Sequence, residues 1–199
     1  MDLIPTPIPG VVQLRPKVFG DQRGFFCESW NARNFREATG VDASFVQDNH
    51  SRSAAGVLRG LHFQYRHSQG KLVRVTHGTV WDVVVDLRRD SPSFGTWFAC
   101  ELSGENHLQL WIPPGLAHGF LVLSTSADFL YKTSDYWMPQ FERSLSWNDP
   151  SVAIDWPLER IEGGSGPVLA PKDASAPSLA ELLGEGTVPL DLSPSTSCP

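Results

Sequence analysis

Gly56-Val57-Leu58-Arg59-Gly60-Leu61-His62-Phe63-Gln64, followed by Gln69-Gly70-Lys71-Leu72-Val73-Arg74, sets a histidine, a lysine and two arginines along strand-like sequence with small residues between them. Short β-branched and aromatic runs bounded by turn residues recur on both sides of it, which is the all-β pattern. The expected strands are Val11–Leu14, Gly24–Ser29, Ser44–Asn49, Gly56–Phe63, Leu72–His77, Thr79–Leu87, Thr96–Leu102, Leu108–Ile112, Ala117–Leu123, Asp128–Thr133 and Ser144–Trp147. Thr79-Val80-Trp81-Asp82-Val83-Val84-Val85-Asp86 is mostly apolar, as expected of a strand inside a sandwich or barrel. Many short strands with sparse helix predict a double-sheet jelly roll.

Two short helices interrupt this pattern. Asn31 can cap the first, Phe35 and Ala38 share one of its faces, and Gly40 can end it. The second covers Ser178–Leu183. One domain over residues 1–183 is expected, and Gly184–Pro199, rich in Pro, Ser and Thr without periodicity, reads as a loosely ordered tail. The apolar fraction of 41% and charged fraction of 19% are ordinary for a soluble globular protein. A net charge of −6 argues against a general nucleic-acid binder. It leaves room for a local cationic pocket that takes a small anion. Cys27, Cys100 and Cys198 form no C-x-x-C pair, so neither a disulfide framework nor a zinc knuckle is expected. No secretory leader and no membrane-length apolar stretch is seen, so Asn49-His50-Ser51 means little as a glycosylation acceptor. These features predict a reduced, cytoplasmic protein.

One histidine beside a cationic wall can abstract a proton next to a carbonyl and hold an anionic substrate. The same stretch resembles the cupin metal-binding pattern in two places. Gly56 is followed by His62 at the right interval, Gln64 stands where the second histidine belongs, Lys71 stands near the glutamate position, and Gly78 closes the motif. Pro113, Gly115 and His118 match the second motif. Only His62 and His118 remain as ligands, since an amide is a poor replacement for imidazole and an ammonium repels a cation. No bound metal is expected. Strand parity sets Lys71 and Val73 on one face with Leu72 and Arg74 on the other, and Arg59 with Leu61 opposite His62. The charges therefore reach one pocket only if a bulge intervenes or neighbouring strands fold over.

The whole set of motifs resembles the dTDP-4-dehydrorhamnose 3,5-epimerase family over about residues 1–180. The resemblance rests on Lys17-Val18-Phe19-Gly20-Asp21-Gln22-Arg23-Gly24-Phe25-Phe26, Phe45-Val46-Gln47-Asp48-Asn49-His50-Ser51 and the opening stretch. Trp111-Ile112-Pro113-Pro114-Gly115-Leu116-Ala117-His118-Gly119-Phe120, Phe129-Leu130-Tyr131-Lys132-Thr133, Trp147-Asn148-Asp149-Pro150 and Lys172-Asp173-Ala174-Ser175-Ala176-Pro177 extend it. It implies a cupin-like jelly-roll homodimer that needs no cofactor and acts on a dTDP-sugar. By position, it implies that His62 is the general base, oriented by Asp173, and that Tyr131 is the acid on the opposite face of the sugar. Lys71 faces the C4 oxygen, and Arg59 and His118 hold the diphosphate. Gln47, Asp48, Asn49, Phe26, Glu142 and Lys172 contact the nucleotide sugar, and Arg23 and Glu28 come from the partner subunit. Trp137 stands where the family usually places a tyrosine on the thymine, keeping the stacking surface and losing the hydroxyl. The loop Tyr65–Gln69 is about one residue short of the family pattern. The resemblance implies epimerisation of dTDP-4-keto-6-deoxy-D-glucose at C3 and C5, with a single-carbon epimerase of a related deoxysugar pathway as the alternative within the class. Two other classes compete with this epimerase: a metal-dependent cupin, opposed by Gln64 and Lys71, and a sugar-binding jelly roll, which needs no acid–base pair.

Overall fold

Short runs rich in β-branched and aromatic residues, separated by turn residues, recur along most of the chain, so strands form and pair rather than helices. The computed structural model describes residues 1–164 and 166–189. The chain begins with β1 (Asp2–Pro5), β2 (Val12–Arg15), β3 (Val18–Asp21), β4 (Gly24–Cys27) and helix α1 (Ala32–Thr39). It continues through β5 (Gln47–Ala54), β6 (Val57–Gln64), β7 (Lys71–His77), β8 (Thr79–Asp86) and β9 (Trp97–Ser103). Then come β10 (Gln109–Ile112), β11 (Leu116–Val122), β12 (Ser126–Thr133), β13 (Glu142–Ser144), β14 (Val168–Leu169), α2 (Pro171–Ala174) and α3 (Leu179–Glu185).

One sheet has the order β1-β2-β10-β7-β12-β5, and the other β13-β6-β11-β8-β9, with β14 added to β6 in parallel. The sheets pack face to face as a jelly roll, closing Val73, Val75, Val80, Val84, Leu110, Phe120 and Phe129 between them. Outside the second sheet, Leu58, Leu61, Val83, Val85 and Leu121 are covered by Trp156, Leu179, Leu182 and Val188. Outside the first, Leu14, Leu72 and Trp111 are covered by Phe35 of α1. Asn31 caps α1 by accepting the Asn34 N–H at 3.1 Å, and Gly40 ends it in the left-handed conformation.

The central departure from simple alternation lies in β6. His118 pairs with His62 and Phe120 with Arg59, so two steps on β11 oppose three on β6. This one-residue bulge overturns the expected parity. Leu58 and Leu61 both enter the outer core, while Arg59 and His62 both line the inter-sheet cavity. Gly60, at φ +124°, makes the bulge passable; a Cβ there would lie 2.6 Å from the Gly119 Cα.

Other boundaries differ for local reasons. β5 spans Gln47–Ala54 rather than Ser44–Asn49, because its polar residues pair with all of β12. β13 spans Glu142–Ser144 rather than Ser144–Trp147, pairing with the His62–Gln64 end of β6. The unanticipated β1, β3, β14 and α2 are two to four residues long, too short to display a period. Helix α3 runs on to Glu185, Gly186 caps it, and Val188 is 2% exposed against the core. The packed chain therefore continues beyond Leu183, while 190–199 of the expected tail lie outside the described residues.

Gly119 packs as closely as Gly60, since a Cβ on it would sit 2.6 Å from the Arg59 carbonyl oxygen. Replacing Gly119 with alanine should destabilise the fold by about 1–3 kcal/mol, the usual penalty for overpacking. Urea unfolding measures this, and an unchanged midpoint would show that the two strands have room to separate.

Candidate active site

A cavity of about 410 Å³ opens between the sheets, lined by β5, β6, β7, β11 and β12. His62 reaches it from just beyond the bulge, and its Nε2 lies 2.7 Å from Oδ1 of Asp173. Asp173 is 2% exposed, and its Oδ2 accepts the Gly60 N–H at 3.3 Å. Burial alone pushes the Asp173 carboxyl up, but the hydrogen bond and charge of His62, the Gly60 amide and Lys172 together hold it below its ordinary value. An ionised Asp173 accepts Nε2–H, which leaves the His62 Nδ1 lone pair free to take a proton.

Lys71 enters from the first residue of β7, and its Nζ donates to the His62 carbonyl oxygen at 3.4 Å. Burial lowers its pKa to about 8, opposed by the charges of Glu142 and Asp82. Tyr131 comes from β12 on the facing sheet. Burial, with the charge of Glu142, raises its pKa against the opposing effect of Arg59, so the phenol keeps its proton at neutral pH. The cavity thus holds a proton acceptor, a proton donor and an ammonium.

Arg59 donates from Nε to Ser53 Oγ at 3.0 Å. His118 Nε2 lies 2.9 Å from Oδ2 of the wholly buried Asp82. At the rim, Trp137 Nε1 and Lys172 Nζ both donate to Glu142, at 3.3 and 3.2 Å. Gln47 donates to Asn49 and accepts the Trp137 N–H. The structure therefore gathers His62, Lys71, Tyr131, Arg59, His118, Gln47, Asn49, Trp137, Glu142 and Lys172 around one cavity, with Asp173 behind His62.

Four expected contact residues do not line this cavity of their own chain. Asp48 sits between Gln47 and Asn49, so strand alternation turns it to the other face of β5, where it pairs with Lys132 at 2.8 Å. Glu28 bonds Asn31 and Asn34 at the start of α1 and lines the neighbouring cleft with Asp48. Arg23 and Phe26 lie on the β3–β4 hairpin, which pairs with neither main sheet. Phe26 is 69% exposed.

His50, Ser51, Gln69, Phe120 and Phe129 also line the cavity but were not anticipated as site residues, nor was Asp82 behind His118. Asp82 left a readable signal, an acid at an inward position of an apolar strand. Gln64 is engaged elsewhere: Nε2 donates to the His67 carbonyl at 2.7 Å, and Oε1 accepts the Met138 N–H at 2.7 Å. Among the described residues, no group of three or more His, Cys, Asp or Glu side chains is arranged to hold a metal ion. No described helix is long and apolar enough to cross a membrane.

A family model described as dTDP-4-dehydrorhamnose 3,5-epimerase matches residues 5–181. The dTDP-4-dehydrorhamnose 3,5-epimerase of Pseudomonas aeruginosa is 59% identical over 87% of this chain and 93% of its own. A dTDP-6-deoxy-D-glucose-3,5-epimerase from Legionella pneumophila, solved with dTDP-4-keto-L-rhamnose, superposes with a TM-score of 0.90 at 49% identity, covering 96% of this chain and 99% of that one. A 3'-monoepimerase from Streptomyces bikiniensis, solved with dTDP-quinovose, superposes with a TM-score of 0.86 at 32% identity, covering 96% of this chain and 93% of that one. The fold and cavity are thus those of a jelly-roll sugar isomerase. Within that class, the chain belongs to the dTDP-4-dehydrorhamnose 3,5-epimerase family.

Lys71 also carries a stability signature. Its pKa is lower folded (about 8) than unfolded, so the buried charge destabilises the fold below pH 8, and the penalty is relieved as pH rises toward 10.5. The shift corresponds to a penalty of about 3 kcal/mol at neutral pH. Lys71→Met should therefore unfold at the same or a higher urea concentration than the wild type at pH 7. A clear loss of stability would show that the ammonium is well compensated where it sits.

Proposed function

We propose that this protein epimerises dTDP-4-keto-6-deoxy-D-glucose at C3 and C5 to give dTDP-4-keto-L-rhamnose. The observation that carries the mechanism is the 2.7 Å bond between His62 and the buried Asp173 in a cavity shared with Tyr131 and Lys71. A 4-keto group acidifies the hydrogens on both flanking carbons. His62 takes one of these protons, and Asp173 steadies the imidazolium that results. Lys71 sets its positive charge against the oxygen on which negative charge develops, an arrangement typically worth roughly 3–4 kcal/mol in the barrier. Tyr131 gives a proton to the opposite face, inverting the centre; solvent then takes the proton from His62 and restores that of Tyr131, and the same pair acts in turn at the second carbon. Every electron pair shifts within the sugar, so the reaction is redox-neutral and asks nothing of a cofactor.

Arg59 and His118 take the diphosphate in this reading. Gln47, Asn49, Trp137, Glu142 and Lys172 surround the nucleotide at the rim, where the indole of Trp137 supplies a stacking face for the base. A homodimer completes the site. Its support is the β3–β4 hairpin, which exposes Phe19, Phe25 and Phe26 by more than half and holds Arg23 out in solvent. Such a patch is unusual on a monomer and suits a subunit contact. Arg23, Phe26 and Glu28, none of which lines its own chain's cavity, then serve the neighbour's.

His62→Ala should lose about 10²–10⁴-fold in turnover while retaining nucleotide-sugar binding, as expected when a positioned base is removed. Arg23→Ala should be inactive through weak binding. Mixing the two inactive variants and letting subunits exchange should restore activity, because one site of each mixed dimer then has both an intact His62 and an intact Arg23. Normal turnover by His62→Ala would refute the assigned base, and a mixture that stays inactive after demonstrated exchange would refute the shared site.

A further inference from the structure

We propose that Asp82 is a positioning residue: it holds His118 in the form that presents an N–H at Nδ1 to the cavity, and so builds part of the wall that grips the diphosphate. The inference deepens the proposed function and rests on that reading.

Asp82 sits in the middle of β8 with no exposed surface. Alternation places it inward with Val80 and Val84, which pack in the inter-sheet core. A carboxyl group buried at such a place is costly unless a partner compensates it. Two other deeply buried aspartates of the second sheet and its cover have structural partners. Asp86 binds Arg88, Ser91 and Ser93, and Asp149 binds Ser151 and the backbone N–H groups of Val152 and Leu179. Asp82 differs. Oδ2 lies 2.9 Å from His118 Nε2, and Oδ1 has no hydrogen-bond partner among the described residues. Its hydrogen bonding is thus directed at one side chain, and that side chain lines the cavity.

The register gives the arrangement a second half. His118 of β11 is directly opposite His62 of β6, while Asp82 of β8 is opposite Phe120, one diagonal step from His118. Two imidazoles therefore stand side by side, each backed by its own buried carboxyl: His62 by Asp173 and His118 by Asp82. When Asp82 is ionised, it accepts Nε2–H, and the second ring proton sits on Nδ1. When Asp82 carries the proton, it donates to Nε2, and the ring's own proton again sits on Nδ1. Both states hold the same number of protons, and both turn a donor toward an anion.

The surroundings make this coupling necessary. Arg59 from β6, Lys71 from β7 and Lys172 from α2 line the same cavity beside His62, and these three cations oppose a further positive charge on an uncompensated His118. Tyr131 from β12, Glu142 from β13 and His50 from β5 are the remaining titratable groups there, and the Phe129 ring stacks on His118 at 5.8 Å. Without the carboxyl, no described partner at Nε2 would direct the ring proton of His118 to Nδ1.

The test uses ¹⁵N-labelled histidine NMR on the full chain, with dTDP-glucose as an inert probe whose diphosphate diester is ionised at neutral pH. At neutral pH, His118 of the wild type should carry a proton on Nδ1, while Asp82→Leu, which leaves Nε2 without its partner, should lose it. At that pH Asp82→Leu should bind dTDP-glucose about tenfold or more weakly than the wild type. A bare Nδ1 on wild-type His118 overturns the proposal, and that measurement stands even if Asp82→Leu does not fold. A folded Asp82→Leu that matches the wild type in both readouts overturns it as well. If the wild type itself neither binds dTDP-glucose nor turns over the keto-sugar, the reading of function has failed instead.

Discussion

One extra residue in β6 sets the chemistry of this molecule. The bulge between Arg59 and His62 turns both side chains into the inter-sheet space, where strict alternation would have sent one of them into the outer core. It exists because Gly60 and Gly119 let β6 and β11 approach more closely than any side chain allows. The same bend aims the Gly60 N–H at Asp173, so the backbone that turns His62 inward also helps hold its carboxylate partner. A short helix that pairs with no strand thereby places a buried acid behind the histidine.

Around that point the site balances buried charge rather than avoiding it. Lys71 is buried at a cost to folding and stays charged through the influence of Glu142 and Asp82. Glu142 also takes hydrogen bonds from Trp137 and Lys172, tying the rim of the cavity to the helix that carries Asp173. Carboxyl groups stand behind or beside several of these groups, Asp173 at His62, Asp82 at His118 and Glu142 at Lys172, while Arg59 is held by Ser53. An acidic protein can in this way hold a strongly cationic cavity for a nucleotide diphosphate.

The strand pattern and turn glycines made the all-β architecture legible, and Asn31, Gly40 and Ser178 marked helix ends because capping is written in single residues. His62, Lys71 and His118 could be found because their motifs are local, whereas Tyr131 reads as an ordinary strand aromatic without the family resemblance. The link from His62 to Asp173 spans 111 positions, and only the family resemblance suggested it. Parity failed at Gly60 because a bulge follows from contact with β11, which the local sequence does not encode. Asp48 was drawn in by its neighbours Gln47 and Asn49, although alternation alone turns it away. Arg23, Phe26 and Glu28 lie on a segment that does not line the cavity of its own chain, so no local pattern ties them to it.

The cavity is arranged around proton transfer, with a carboxylate-backed imidazole, a protonated phenol and an ammonium meeting in one space. Incubation with dTDP-4-keto-6-deoxy-D-glucose in heavy water, followed by NMR of the sugar, tests this most directly. The account predicts solvent deuterium at both C3 and C5 with inversion at each, giving dTDP-4-keto-L-rhamnose. Deuterium confined to one carbon, or none at either, would contradict it.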